Sequence, residues 1–185
     1  MKRPLFTSAD AKQLGISSSL LNYYARKGLI ERIDRGIYRG ISPSMDVDFQ
    51  WEDLVLAVKS IPDSAVCLIS ALALYDLSDE IPRLHWIAID NYRRVPKRRG
   101  TKIVRMRNMS LGKVIIHIGS ESLPIFDRER TIIDAFRYLG KETAIKALKR
   151  ATSVQGPDKI DLNKLKKYAK EFRINIDHYI LAVTV

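Results

Sequence analysis

Six polar side chains lie close together in SSSLLNYYAR: Ser17, Ser18, Ser19, Asn22, Tyr23 and Arg26. The spacing of the last five suits one face of a helix, with Ser17 at its start. The chemistry they offer is hydrogen bonding rather than catalysis. Arginine presents a forked donor that matches the edge of guanine. Asparagine pairs a donor and an acceptor with adenine, and serine and tyrosine hydroxyls reach phosphates or base edges. The same side chains would also suit the outer face of an ordinary helical hairpin. The residues alone leave both readings open.

The elements around them must hold that face outward. SADAKQL, residues 8–14, is expected to be a short helix with Ser8 as its N-cap, since a serine hydroxyl can accept from a free N–H of the first turn. Gly15 ends it, because the turn needs a left-handed residue. Ser17 is expected to cap a second helix over 18–27, which Gly28 ends. A helix-turn-helix needs a small residue in the first helix, a turn-former four residues later, and apolar residues in the second helix facing the first. Ala11, Gly15, and Leu21 with Tyr24 occupy those positions, and Leu20 and Ile16 lie beside them. LIERI and GIYRG then flank Asp34-Arg35-Gly36 as a hairpin. Such a wing would put Arg32, Arg35 and Arg39 on phosphates, with Lys27 nearby. Residues 1–45 are therefore expected to form a winged helix-turn-helix DNA-binding domain. Only MKRPLF precedes the first helix, so residues 49–60 or another segment must help complete its core.

Residues 46–185 are expected to form a mixed α/β domain ending in helices, giving an α+β class overall. ISPSMDVD, 41–48, reads as a linker, and FQWEDLVLAVKS, 49–60, as a helix. Residues 64–69 are apolar without a clear period and fit a helix or a strand. Ser70 is expected to cap a helix through Leu77. HWIAI, KIVRM and VIIHI read as strands. Asp127 is expected to cap a helix with Ile132, Ile133, Phe136 and Leu139 on one face. A further helix carries Ala144, Ile145 and Leu148, and another spans about 162–172. HYILAVTV fits a helix or a strand.

Composition narrows the function classes. The chain has 185 residues, 46% of them hydrophobic, which suffices for a core. No run of 18 apolar residues is present, so no membrane span is expected. The N-terminus lacks the apolar region of a secretory signal, Cys67 has no partner cysteine, and a cytoplasmic location is expected. The formal net charge is +11, and a basic chain without membrane signals most often meets nucleic acid.

TSADAKQLGISSSLLNYYARKGLIERIDRGIYRG resembles the N-terminal winged domain of the AbiEi family of antitoxins, from type IV toxin–antitoxin systems. CLISALALYDLSDEIP followed by HWIAI resembles that family's second domain. FDRERTIIDAFRYLG resembles its later helical signature. The resemblance covers roughly residues 5–150 and, more loosely, the helix at 162–172. It implies that the first domain binds double-stranded operator DNA at inverted repeats and represses its own operon. It also implies that the second domain counters a nucleotidyltransferase toxin, with no stable toxin complex expected. A stand-alone transcription factor of the same architecture, or a protein- or RNA-interaction module, fits the residues as well.

A second basic stretch, residues 93–113, contains nine Lys or Arg and no Asp or Glu. Arg93, Arg94, Lys97, Arg98 and Arg99 cluster around Pro96 and Gly100 and read as a loop that could hold phosphates without reading bases. A solvated loop is the alternative. Arg128, Arg130 and Thr131 could bind an anion, but a local salt bridge to Asp127, Glu129 or Asp134 suits the arginines better. Nothing points to an enzyme. GKET at 140–143 lacks the earlier glycine and the following Ser or Thr of a P-loop. His85, His117 and His178 are isolated, and Asp46 and Asp48 have no catalytic partner in view. Neither a metal nor a cofactor is expected.

Overall fold

The computed structural model describes residues 5–40 and 49–184. The linker read at 41–48, with Asp46 and Asp48 and the domain boundary at 45/46, lies outside them. The chain divides into two compact units, residues 1–62 with 117–123, and residues 63–116 with 124–185.

The first unit begins with β1 (Leu5–Thr7), α1 (Ser8–Gln13) and α2 (Ser18–Arg26), and continues with β2 (Ile30–Asp34), β3 (Ile37–Gly40) and α3 (Phe49–Ser60). The N-cap of α1 is Thr7, one residue before the expected Ser8. Thr7 and Asp10 form a capping box, each side chain accepting from the other's backbone N–H at 3.1 and 2.9 Å. Ser17 caps α2 as expected, its Oγ accepting from the Leu20 N–H at 3.2 Å. Gly15 (φ +76°) and Gly28 (φ +69°) close the two helices in the same way. Each glycine turns the chain so that the next N–H bonds back into the last turn, Ile16 to the Ala11 carbonyl and Leu29 to the Tyr24 carbonyl, both at 2.9 Å.

β1, β3 and β2 form a sheet in that order, all antiparallel. β1 went unread in the sequence, because three residues are too few to show a period. The register sets Phe6, Tyr38 and Arg32 side by side on one face. Phe6 stacks on Tyr38 with ring centroids 5.7 Å apart, and Tyr38 packs with Ala11 and Leu21 in one buried cluster. On the other face Glu52 of α3 reaches Arg39, and α3 touches β1. Residues 49–60 thus belong to this unit. This is a winged helix-turn-helix.

Beyond Pro62 the chain is mixed. β4 (Ala65–Val66), α4 (Leu68–Leu74), β5 (His85–Asp90), β6 (Thr101–Met106), β7 (Lys113–Ile118) and β8 (Glu121–Phe126) come first. α5 (Arg128–Tyr138), α6 (Lys141–Ser153), a 3-10 turn at Gly156–Asp158, α7 (Leu162–Glu171) and α8 (Asp177–Thr184) follow. The five strands order β6-β5-β4-β8-β7; β4 pairs parallel with β8 and β5 parallel with β6. Ala88, Met106 and Phe126 of the sheet pack with Cys67 and Leu68. Ile132, Ile133, Ala147, Leu148, Leu165 and Ile180 form a second cluster among the helices.

Three sequence expectations change here. The ambiguous run 64–69 is both strand and helix. β4 stops at Val66, and Leu68, buried at φ +48°, pivots the chain into α4. Ser70 is not a cap. The cap position is Cys67, and the Ser70 hydroxyl lies fully buried, accepting from the Trp86 N–H at 2.8 Å and so tying α4 to β5. β8 was missed because Pro124 and the acidic Glu121 disguise it. The C-terminal run is helical through Thr184 in α8.

Candidate nucleic-acid interface

α2 holds its polar residues outward because Leu21, 1% exposed, and Ala11, 2% exposed, lock its other side. Ser18, Ser19, Asn22, Tyr23 and Arg26 are all exposed. At 100° per residue they occupy an arc of about 140°. Ser17 is exposed at the helix start. Its oxygen is engaged in the cap, and its hydroxyl proton remains free to be donated. Tyr23 sits against Tyr24 with ring centroids 5.8 Å apart, and Lys27 lies 5.9 Å over the Tyr23 ring. Arg26 occupies the last turn, where a cation also suits the helix dipole.

The wing residues separate into two kinds. Arg32 and Arg35 are exposed. Arg39 is half-buried, and its guanidinium stands 3.8 Å from Glu31 and 3.5 Å from Glu52. The turn between β2 and β3 is held in place from α1. The Ser8 N–H donates to the Gly36 carbonyl at 2.8 Å, and a β-carbon on Gly36 (φ +76°) would stand 3.0 Å from the Ser8 Oγ. Ser8 therefore anchors the wing.

The second basic cluster sits on the connection from β5 to β6, residues 91–100. It starts where the Asn91 N–H donates to the Met106 carbonyl (3.0 Å). It ends where the Gly100 carbonyl accepts from the His85 N–H (2.9 Å). Because β5 and β6 are parallel, this segment runs back along the whole length of β6. Arg94, Lys97 and Arg99 are exposed; Arg93 and Arg98 are half-buried, and Arg93 lies 4.0 Å from Asp63. Val95, Pro96, Lys97, Arg98, Arg99, Thr101 and Ile103 line a shallow groove. Sequence reasoning named the cations but missed Val95 and Ile103, since only the return of the chain makes them a floor.

The arginines of the α5 segment do local work. Arg130 is fully buried, its Nε 2.7 Å from Asp134, with its other nitrogens donating to the carbonyls of Asn108, Leu111 and Arg107 at 3.1, 3.1 and 3.3 Å. Arg128 pairs with Asp158 at 2.7 Å. Asp127 caps α5, as expected, by accepting from the Arg130 N–H at 2.8 Å. Its second oxygen accepts from the Tyr168 hydroxyl and lies 3.1 Å from Lys164. Burial pulls the Lys164 ammonium down, but the hydrogen bonds and charges of Asp127 and Glu129 outweigh it and hold the group above the usual lysine range. Among the described residues no group of three or more His, Cys, Asp or Glu could hold a metal ion, and no helix is long and apolar enough to cross a membrane.

Residues 1–39 match a family described as "Transcriptional regulator, AbiEi antitoxin". The match covers the helix-turn-helix and the wing, where the sequence resemblance was densest. No curated protein matches the chain. Among solved structures, the crystal structure of the RV2827C protein from Mycobacterium tuberculosis is similar at TM-score 0.58 and 15% identity, covering 91% of this chain and 67% of that one. At that identity the likeness is one of fold. The N-terminal segment is thus similar to that of AbiEi-like transcriptional regulators, and the chain is similar in fold to RV2827C.

Proposed function

We propose that this chain is a DNA-binding transcriptional repressor that acts as an AbiEi-like antitoxin. It binds inverted repeats in its own operator through α2, and it counters a nucleotidyltransferase toxin without holding it in a stable complex. It works in the cytoplasm and carries out no catalysis. The observation that carries the reading is the exposed stripe Ser18, Ser19, Asn22, Tyr23 and Arg26 on a helix whose other side is locked by Leu21, within the segment matched to the regulator family. Such a helix fits the major groove, where Asn22 and Arg26 meet base edges and Ser17 meets a phosphate. Arg32 and Arg35 of the wing take phosphates. Arg39 supports the wing through Glu31 and Glu52.

A band-shift on DNA from upstream of the gene, against scrambled DNA over a salt series, tests this. Preference for the upstream DNA that persists at about 150 mM salt is the expected result. Equal binding to both, vanishing at that salt, would leave only a general attraction to polyanions and remove the repressor reading. Toxin antagonism is tested by co-expression with an adjacent nucleotidyltransferase. Rescue of growth is expected, and no rescue would reduce the reading to a stand-alone transcription factor.

A further inference from the structure

We infer that the second unit carries its own binding face for single-stranded RNA, built on the 91–100 segment and the exposed face of β6, and independent of the operator-binding helix. Three features of this face combine.

The first is charge without compensation. Residues 91–120 contain no Asp or Glu. Lys97, Arg99 and Arg105 are exposed, and among the described residues none of the three has an acidic partner within 4.0 Å. Lys97 and Arg99 line the groove. Arg105 follows Thr101 and Ile103 at two-residue spacing on β6, so it stands on the same face of the sheet. Four cations, with Arg98, therefore border one surface about 20 Å long, the length of six extended residues.

The second feature is an apolar floor. Val95, Pro96 and Ile103 line the same groove. A duplex presents phosphates and hides the faces of its bases. An unpaired base has a flat apolar face to bury, and a concave floor ringed by cations suits it.

The third is Tyr92, 92% exposed at the start of the segment, next to the Asn91–Met106 hydrogen bond that marks the Arg105 end of the face. A tyrosine so exposed beside arginines is a stacking platform for a base. The ribose distinguishes RNA from DNA. The Thr101 hydroxyl donates to the Arg98 carbonyl at 2.9 Å, which leaves its oxygen free to accept from a 2′-hydroxyl in the groove.

The test is fluorescence anisotropy of the full chain with a short unstructured RNA, DNA of the same sequence, and random duplex DNA. RNA is expected to bind tightest. The triple variant Lys97→Ala/Arg99→Ala/Arg105→Ala should bind RNA about tenfold or more weakly, with a salt slope shallower by about 2. Its operator binding and thermal melting should match wild type. Tyr92→Ala should weaken RNA about fivefold, and Tyr92→Phe should leave it unchanged. As a charge control, Lys166→Ala/Lys167→Ala/Lys170→Ala on α7 removes the same charge and should leave RNA binding intact. An equal loss in the control, equal affinity for the single-stranded DNA, or tighter binding of random duplex would overturn the assignment. So would loss of RNA binding on Arg26→Ala, which would put the RNA on α2.

Discussion

A β-carbon on Gly112 would stand 2.9 Å from the Cβ of Arg130. The same atom would stand 2.9 and 3.1 Å from the two carboxylate oxygens of Asp127. The backbone between β6 and β7 is thus pressed onto the first turn of α5, and the Asp127 N–H donates to the Gly112 carbonyl at 2.7 Å. Gly112 also holds φ at +67°, where a side chain is disfavoured. Gly112→Ala should therefore cost about 1–3 kcal/mol of stability, through strain and displacement together. Chemical denaturation measures it. A loss within about 0.5 kcal/mol would mean that the contact yields easily.

Arg130 explains why that approach is worth keeping. Its guanidinium lies between the rings of Phe126 and Phe172, 4.5 and 4.2 Å from their centroids, and bonds to Asp134 and three loop carbonyls. Removing it leaves the buried Asp134 carboxylate with Arg137 alone, 2.6 Å away, and takes a donor from three carbonyls, of which that of Asn108 keeps the Leu111 N–H. Arg130→Met should destabilise by about 3–5 kcal/mol. Asp134→Leu added to it should recover part of that loss, because the buried carboxylate that keeps only Arg137 goes too. A double variant no more stable than the single would show that the cost lies in the loop carbonyls and in Arg137, which loses Asp134, rather than in the buried carboxylate.

These contacts mark where the sequence is readable and where it is not. The helix-turn-helix is local, and its caps, glycines and apolar spacing lie within about thirty residues, so Ala11, Gly15, Leu21 and Gly28 could be placed from spacing alone. Asp127 as a cap is equally local. Ser70 looked like a cap by type, yet its partner, Trp86, comes from another element. Arg39 looked like a free wing cation, yet Glu52 lies beyond the linker. The floor of the second groove exists only because β5 and β6 run parallel, and strand direction leaves no mark in composition. Partners distant in sequence, such as Trp86 for Ser70 and Glu52 for Arg39, went unread for that common reason.

Stability should fall in alkali. Burial above all pushes the Tyr75 phenol from 10.0 up to about 12, with Asp127 adding to the rise and Arg128 opposing it. Between those values the folded chain keeps a proton that the unfolded chain has released. Unfolding free energy therefore decreases as pH rises through that window. Lys164, also held above its ordinary range, acts in the same direction. Tyr75→Phe removes one of these groups, so its stability should decline less steeply above pH 10, as read from denaturant midpoints at successive pH. An unchanged slope would mean that the phenol is more open to water than its place among the helices indicates.

The wing and the reading helix should fail differently when altered. Asn22→Ala or Arg26→Ala removes a base contact and should weaken operator binding by about 1–3 kcal/mol each, leaving random DNA nearly untouched. Arg32→Ala or Arg35→Ala removes a phosphate contact. Each should weaken all DNA alike and reduce the salt slope by about 1. Arg39→Ala is the informative third case. Its guanidinium is half-buried and held by Glu31 and Glu52, so its loss leaves two carboxylates without their cation beside the wing. The melting temperature should drop along with affinity, whereas the Arg32 and Arg35 variants should melt like wild type. Band-shifts over a salt series, paired with melting curves, separate the three outcomes. If Arg39→Ala keeps wild-type stability and lowers the salt slope like its neighbours, Arg39 turns outward to DNA and its two ion pairs are dispensable. If neither helix substitution changes the preference for operator over random DNA, α2 is not the reading element.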